Sequence, residues 1–323
     1  MKAIYYEAYG AADVLRYGDQ PTPVAQADQV LVRVRASSVN PVDWKVRARA
    51  GLLDLVRGSH FPKIPGCDLA GEVVAVGANM TRFGVGARVF GMPTGGPGVG
   101  PGTGRTNAEF VAVSADSLAL IPDHLSFAQA AAVPLGALTA LQGLRNHGRL
   151  LSGDRVLVTG AAGGVGSLAV QVARLLGAGE VTGVCSPQHQ ELVRSLGTDR
   201  VLDRTTHDFT RDRSRYDIVF DAAGKSSFRA SAASLRDRGR YITIVPDPQA
   251  IAAGLLAAAF SSKKMRTFLA WPHGSDMALV AAWLKTGALR PVPGRTFPLA
   301  ETAAVHRFGE AGDGTGRIVL VAD

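Results

Sequence analysis

The sequence predicts an α/β fold, a doubly wound parallel sheet accompanied by a second, β-rich and barrel-like domain. Three observations carry this. The run Val156-Leu157-Val158-Thr159-Gly160-Ala161-Ala162-Gly163-Gly164-Val165-Gly166 takes an apolar strand through a small-residue turn into a helix bearing Leu168, Val170, Val172, Ala173, Leu175 and Leu176. Beyond it, strand-like runs alternate with helix-compatible stretches, as a parallel sheet with crossover helices requires. Before about residue 120, short strands are broken by glycine and proline, which suits a barrel-like β domain.

Each element follows in chain order. Met1-Lys2-Ala3-Ile4-Tyr5-Tyr6 reads as a strand and not as a signal peptide, so the expected location is the cytoplasm. Val30-Leu31-Val32-Arg33-Val34-Arg35-Ala36 alternates, with apolar side chains on one face. Residues 71–77, 87–91 and 109–113 are further strands. Residues 91–104 are nearly all glycine and proline and read as a mobile loop. After the turn, Gly177 ends the helix and Val181-Thr182-Gly183-Val184-Cys185 is a second strand. A short strand at 200–203 and stronger ones at 216–221 and 240–245 continue the pattern, with helices expected at 190–196 and 227–235. The strand at 317–321 is expected to return to the first domain. The expected division is a β-rich domain over 1–122 and 292–323, with a nucleotide-binding domain over 123–291.

Composition narrows the function classes. A chain of 323 residues with 46% hydrophobic and 19% charged residues can bury a large core. No apolar run is expected to be long enough to span a bilayer. The net charge is +8, but the basic residues are scattered. The densest stretches, 204–215 and 236–240, are interleaved with Asp208, Asp212 and Asp237 and read as solvated faces, so no nucleic-acid partner is expected. Two cysteines, Cys67 and Cys185, make neither a disulfide framework nor a multi-cysteine zinc site.

The turn carries the chemistry. A strand, a glycine-rich turn and a helix N-terminus present backbone N–H groups and a positive dipole end, while missing side chains let a pyrophosphate approach. A dinucleotide and redox chemistry follow. Ala161 replaces the first glycine of the usual pattern, but the strand, helix and second strand complete a βαβ unit. Other motifs are absent. No tyrosine has a lysine four residues on, Gly224-Lys225-Ser226 lacks the earlier glycine of a P-loop, and there is no Gly-x-Ser-x-Gly.

The order of these segments resembles the medium-chain dehydrogenase/reductase superfamily in its zinc-free quinone oxidoreductase branch. The resemblance rests on 1–4, Ser38-Val39-Asn40-Pro41-Val42-Asp43, Ile64-Pro65-Gly66-Cys67-Asp68-Leu69-Ala70-Gly71-Glu72-Val73, 131–140, 160–166 and 191–197, and covers essentially the whole chain. It implies a GroES-like, partly open barrel domain and a Rossmann domain. Zinc-dependent members hold the metal with cysteine, histidine and cysteine. Here Asn40, Cys67 and roughly Leu135 stand at those places, which leaves too few ligands for tetrahedral zinc, so no metal is expected. Hydride addition to a quinone or to the β-carbon of an enone is then the expected chemistry. Asn40 and Asp43 are the catalytic candidates. No tyrosine occurs between Tyr17 and Tyr216, so water is the expected proton source.

The second strand of the nucleotide domain ends in Cys185-Ser186, without the acid that would bond a ribose 2′-hydroxyl. Ser186 can donate to a 2′-phosphate and Arg204 can pair with it, so NADPH is the expected cofactor. In related proteins a basic and an aromatic residue lie near the places held here by His189 and Arg204. By the same resemblance Asn40, Thr139, Ile244 and Val245 meet the nicotinamide half, Ala223 borders the cofactor, and Gly163, Gly164 and Val165 form the pyrophosphate turn. The substrate pocket is expected from 46–61, 92–105 and 260–273, with Trp44, Phe61, Phe260, Phe268 and Trp271 as candidate liners. A homodimer is the family expectation. An NADPH-binding sensor or interaction protein with little catalysis is the alternative.

Overall fold

The computed structural model describes residues 1–48, 61–94, 104–245, 248–312 and 315–322. Its first strands, β1 (Lys2–Tyr5) and β2 (Arg16–Asp19), form an antiparallel pair. Then come β3 (Gln29–Val39), the short helix α1 (Pro41–Arg47), β4 (Leu69–Val76), β5 (Arg88–Gly91), β6 (Phe110–Ser114) and β7 (Leu118–Leu120). The alternation of β3 is what makes it a strand. Val30, Val32 and Val34 enter one core with Leu69, Val73, Val89, Val111, Val113 and Leu118, while Arg33 faces water.

Helices α2 (Phe127–Ala131) and α3 (Pro134–Gln142) lead to the second half. It runs β8 (Arg155–Thr159), α4 (Gly166–Leu175), β9 (Glu180–Cys185), α5 (Gln190–Ser195), β10 (Arg200–Asp203), β11 (Tyr216–Asp221), α6 (Phe228–Ser231), β12 (Leu235–Thr243), α7 (Pro248–Ala259) and β13 (Lys264–Thr267). The chain closes with α8 (Gly274–Lys285), β14 (Pro293–Pro298), α9 (Thr302–Ala311) and β15 (Arg317–Val321).

By packing, one unit is Met1–Leu135 with Trp271–Asp323 and the other is Gly136–Ala270. These bounds differ from the expected breaks at 122 and 292. The segment after residue 270 belongs with the first unit because α8 packs on β7. In that unit the strand path is β14-β15-β3-β4-β5-β7, with β6 also paired to β3. The path is open at β14 and β7, as a partly open barrel implies. The last strand does return to the first: β15 runs antiparallel to β3, with Ile318 opposite Val39.

The second unit is a six-stranded, all-parallel sheet in the order β10-β9-β8-β11-β12-β13. The chain moves outward from β8 to β10, then crosses back to the other side of β8. The order reverses between β8 and β11, and in doubly wound sheets ligands bind at the carboxyl ends of the strands flanking that reversal.

Two sequence readings need correction. The helix expected over 227–235 is only α6, because Ser227 caps it through its hydroxyl to the Ala230 N–H and Leu235 already pairs with Tyr216. A stretch long and apolar enough to cross a membrane does occur, at Phe127–His147, though Pro134 and polar residues interrupt it in sequence. It is 83% buried within the protein, as core helices are.

Candidate active site

The reversal point is built by one carboxylate. Asp221 ends β11 and is fully buried. Its Oδ1 accepts the Thr159 hydroxyl of β8 at 2.6 Å and the Gly224 N–H at 3.0 Å. Its Oδ2 accepts the Tyr241 hydroxyl of β12 at 2.8 Å and the Ser226 N–H at 3.3 Å. Burial, then the Asp221 carboxylate, push the Tyr241 phenol well above its ordinary value, so it stays a donor. Asp221 thus pins the 222–226 loop across three strand ends. Sequence reading missed it because it sits inside an ordinary strand pattern.

The glycine turn lies beside this node. A Cβ on Gly166 would stand 2.0 Å from the Gly160 carbonyl oxygen, so α4 starts closer to β8 than any side chain allows. Ala161 is fully buried and donates its N–H to the Val184 carbonyl, so a methyl group fits where a glycine is more usual. A Cβ on Gly160 would lie 3.2 Å from that of Ala223, and one on Gly224 would strike Val245. Ala223 thus lies against the turn at Gly160 and Val245 against Gly224, with Ile244 next in chain, while Gly163, Gly164 and Val165 carry the turn into α4. The Ser167 N–H bonds the Gly163 carbonyl, whereas the Gly164 and Val165 N–H groups have no backbone acceptor among the described residues. Thr139 is buried in α3.

The end of β9 holds a second arrangement. Arg204 Nε donates to Ser186 Oγ at 2.7 Å, and the Arg204 backbone N–H bonds the Cys185 carbonyl. Ser186 keeps its own hydroxyl proton for another acceptor. His189 closes the turn through its N–H to the Ser186 carbonyl. The nearest acid in register, Asp203 opposite Cys185, is occupied by the Thr205 hydroxyl and N–H, which hold its carboxyl below the ordinary range. Glycine cradle, open N–H groups and this cation–hydroxyl pair fit a dinucleotide with a 2′-phosphate.

The first unit holds Asn40 and Asp43 in a buried polar cluster. Asn40 caps α1 from the end of β3. Its Nδ2 donates to Ser38 Oγ at 3.0 Å and to Asp68 Oδ2 at 3.1 Å. Its Oδ1 is buried and has no hydrogen-bond partner among the described residues. Ser38 Oγ and Asp68 Oδ2 are themselves hydrogen-bonded, so they share one side of the amide, and Asn40 keeps both donor and acceptor capacity.

Asp43 accepts the Asn40 N–H at 2.7 Å and the Cys67 thiol at 3.4 Å. Burial pushes it up to about 7, against the Asn40 bond. Asp68, which sequence reading passed over, accepts the Ser38 hydroxyl, the Asn40 amide and the Leu135 N–H at 2.7 Å. Burial pushes its carboxyl up, opposed first by the Arg317 charge. Arg317 of β15 is itself buried, and its Nε and Nη2 have no hydrogen-bond partner among the described residues. Only the pairing of β15 with β3 brings it here.

Cys67 therefore meets a carboxylate, and Leu135 contributes a backbone N–H. Among the described residues, no group of three or more His, Cys, Asp or Glu is arranged to hold a metal ion. Of the candidate pocket residues, Trp44 and Phe61 pack into the core around Ile4, Tyr6 and Val39. Phe268 stacks on His147, and Phe260 is 88% exposed. The candidate stretches 49–60 and 95–103 lie outside the described residues.

Comparisons with known proteins agree with this layout. Residues 26–123 match the family model of the alcohol dehydrogenase GroES-like domain, and residues 196–320 match that of a zinc-binding dehydrogenase. The chain is 33% identical to a chloroplast envelope quinone oxidoreductase homolog of Arabidopsis thaliana, over 99% of this chain and 98% of that one. It is 33% identical to an NADPH-dependent alkenal/one oxidoreductase of the same plant, over 99% of this chain and 79% of the relative. Among solved structures, the quinone oxidoreductase of Coxiella burnetii superposes with a TM-score of 0.88 at 29% identity, covering 100% of this chain and 99% of that chain.

Proposed function

From the premise that this chain belongs to the quinone oxidoreductase branch of the medium-chain dehydrogenase/reductase superfamily, we propose the following residue roles for an NADPH-dependent oxidoreductase acting on quinones or enones. The observation that carries the cofactor assignment is the Ser186–Arg204 pair at an acid-free strand end. A 2′-phosphate there meets a guanidinium and a hydroxyl donor, and β9 itself ends without an acid.

When bound, the cofactor supplies a hydride that adds to the β-carbon of an enone or to a quinone. The chain's residues do the rest. The N–H groups of Gly164 and Val165 take the pyrophosphate, Gly166 permits its approach, and Ala223, Ile244 and Val245 border it. Asn40 offers Oδ1 to an amide or water donor, held by Ser38 and Asp68. Asp43 acts through Asn40, fixing its backbone, and is a positioning residue. The proton that completes reduction comes from water. The reaction runs without catalytic zinc: Asn40, Cys67 and Leu135 offer one metal-binding side chain among three, and Cys67 is engaged with Asp43.

The test is NADPH consumption against a panel of quinones and enones, with Ser186→Asp beside the parent. The reading expects turnover, and a loss in the variant that is much larger with NADPH than with NADH. Tight NADPH binding with no turnover across the panel would sink the reductase reading. Equal effects on both cofactors would sink the phosphate site.

A further inference from the structure

The second unit carries a cavity of about 610 Å3 lined by Asn146, His147, Arg149, Arg238, Arg240, Ser262, Lys264 and Arg266. Its cations come from three places in the sequence. Lys264 and Arg266 are two residues apart on the edge strand β13, so both leave the same face. Arg240 lies opposite Lys264 in register on β12, with Arg238 two residues earlier. Arg149 arrives on the loop after α3. That loop lies against the same face, since a Cβ on Gly148 would contact Ile242, the register partner of Arg266.

These five cations differ in their bonding. Arg240 is a structural member: it pairs with Asp154 at 2.7 Å and donates to the Arg149 carbonyl at 3.2 Å. It thereby fixes the backbone that carries Arg149. Arg149, Arg238, Lys264 and Arg266 have no carboxylate ion-pair partner among the described residues, and all four are exposed. Asp237, next in chain to Arg238, accepts the Ser262 hydroxyl, which with the Arg238 and Lys263 charges holds its carboxyl below the ordinary range. Both Arg149 (φ 46°) and Arg238 (φ 58°) have left-handed backbones, unusual for side chains of this size. Burial, then the Arg266 charge, hold His147 below its ordinary value, so it faces the cavity as a neutral hydrogen-bonding ring stacked on Phe268 at 4.3 Å.

We propose that this cavity is a second anion site, separate from the dinucleotide crevice, that takes a compact oligophosphate ligand. Four cations around one cavity, with Asp237 beside Arg238 as partial compensation, repel one another, and a multiply charged ligand relieves that repulsion. Three of them are guanidinium forks, which match phosphate oxygens in pairs. The volume suits a small molecule. Asp237 at the rim disfavours a long strand running out over that edge. Residues 236–238 are exposed, as a solvated face requires, and Arg238 and Arg240 join cations about 90 positions earlier and 25 later.

The probe is inorganic triphosphate, titrated calorimetrically into the protein saturated with NADPH, at fixed ionic strength. Expected is one triphosphate per chain, bound more tightly than orthophosphate or sulfate. The double variant Arg238→Ser/Arg266→Ser should weaken it about tenfold or more while leaving NADPH affinity unchanged, which also reports that the variant is folded. Lys264→Gln should weaken it less, and Arg204→Ala should not change it. Loss of triphosphate binding on NADPH saturation would overturn the proposal, as would equal affinity in the double variant or equal affinity for sulfate. A single-stranded oligonucleotide that binds the parent more tightly than triphosphate, and loses that advantage in the double variant, would also overturn it.

Discussion

The two units solve opposite problems with opposite means. The crevice of the second unit is shaped by what is missing: no side chain at Gly166, no acid after β9, no backbone acceptor for two N–H groups. The cluster of the first unit is shaped by what is packed in: two carboxylates, a guanidinium, an amide and a thiol, all withdrawn from water. Backbone geometry tolerates polar ligands because its donors are fixed by the fold. A buried charge cluster depends on every member, because each removed partner leaves another uncompensated. The first region should therefore fail by loss of stability, and the second by loss of binding.

Asp68→Ala should show the largest effect. It strips the Ser38, Asn40 and Leu135 donors of their acceptor and leaves Arg317 with less opposing charge, costing about 3–5 kcal/mol. Urea unfolding measures this, and a loss below about 1 kcal/mol would mean the cluster is not an interdependent unit.

Asp43 gives the contrast in pH. Its carboxyl is pushed up to about 7, so the folded chain holds a proton that the unfolded chain releases near its ordinary value of 3.8. Below about pH 4 both states are protonated and the group contributes nothing. Between about pH 4 and 7 the unfolded state binds fewer protons, so the fold loses stability as pH rises, by up to about 4 kcal/mol for the whole shift. Asp43→Asn should flatten that slope relative to the parent, and an unchanged slope would remove Asp43 as its source.

Gly166→Ala tests the other region. A methyl group pressed against the Gly160 carbonyl should cost about 1–3 kcal/mol, with NADPH affinity falling more steeply than the melting temperature. If stability and affinity fall in step, the turn is a packing feature and not a ligand cradle. Ser186→Asp should weaken NADPH by roughly thirtyfold relative to NADH, which is about 2 kcal/mol of repulsion. Arg204→Ala, at the exposed rim, should show the smallest effect, about tenfold on NADPH alone. Fluorescence titration of each cofactor reads both variants.

Local signals were legible in sequence where one residue type had one physical use. The strand, small-residue turn and helix around Gly160–Gly166 could be read because only small residues let a strand and helix approach so closely. The Ser186–Arg204 pair could be anticipated because a strand end without an acid is visible in one line of sequence. Asp221 and Asp68 could not, since a carboxylate inside an apolar run does not reveal whether it pins three strands or faces water. The cationic cavity was hidden for a related reason: Asp237 and its arginine neighbours read as a solvated surface, which they are, but sequence does not show that β13 and the 146–149 loop bring further cations beside them.

The sequence by itself determined the α/β architecture, the order of its two parts and the dinucleotide turn, because these depend on periodicity and on residues close in the chain. Tertiary structure alone decided that Arg317 stands among Asp43, Asp68 and Cys67, that Asn40 is anchored on Ser38 and Asp68, and that cations from three distant segments share one cavity. Those facts depend on strand register between segments far apart in sequence, and on which partner takes each proton once water is gone.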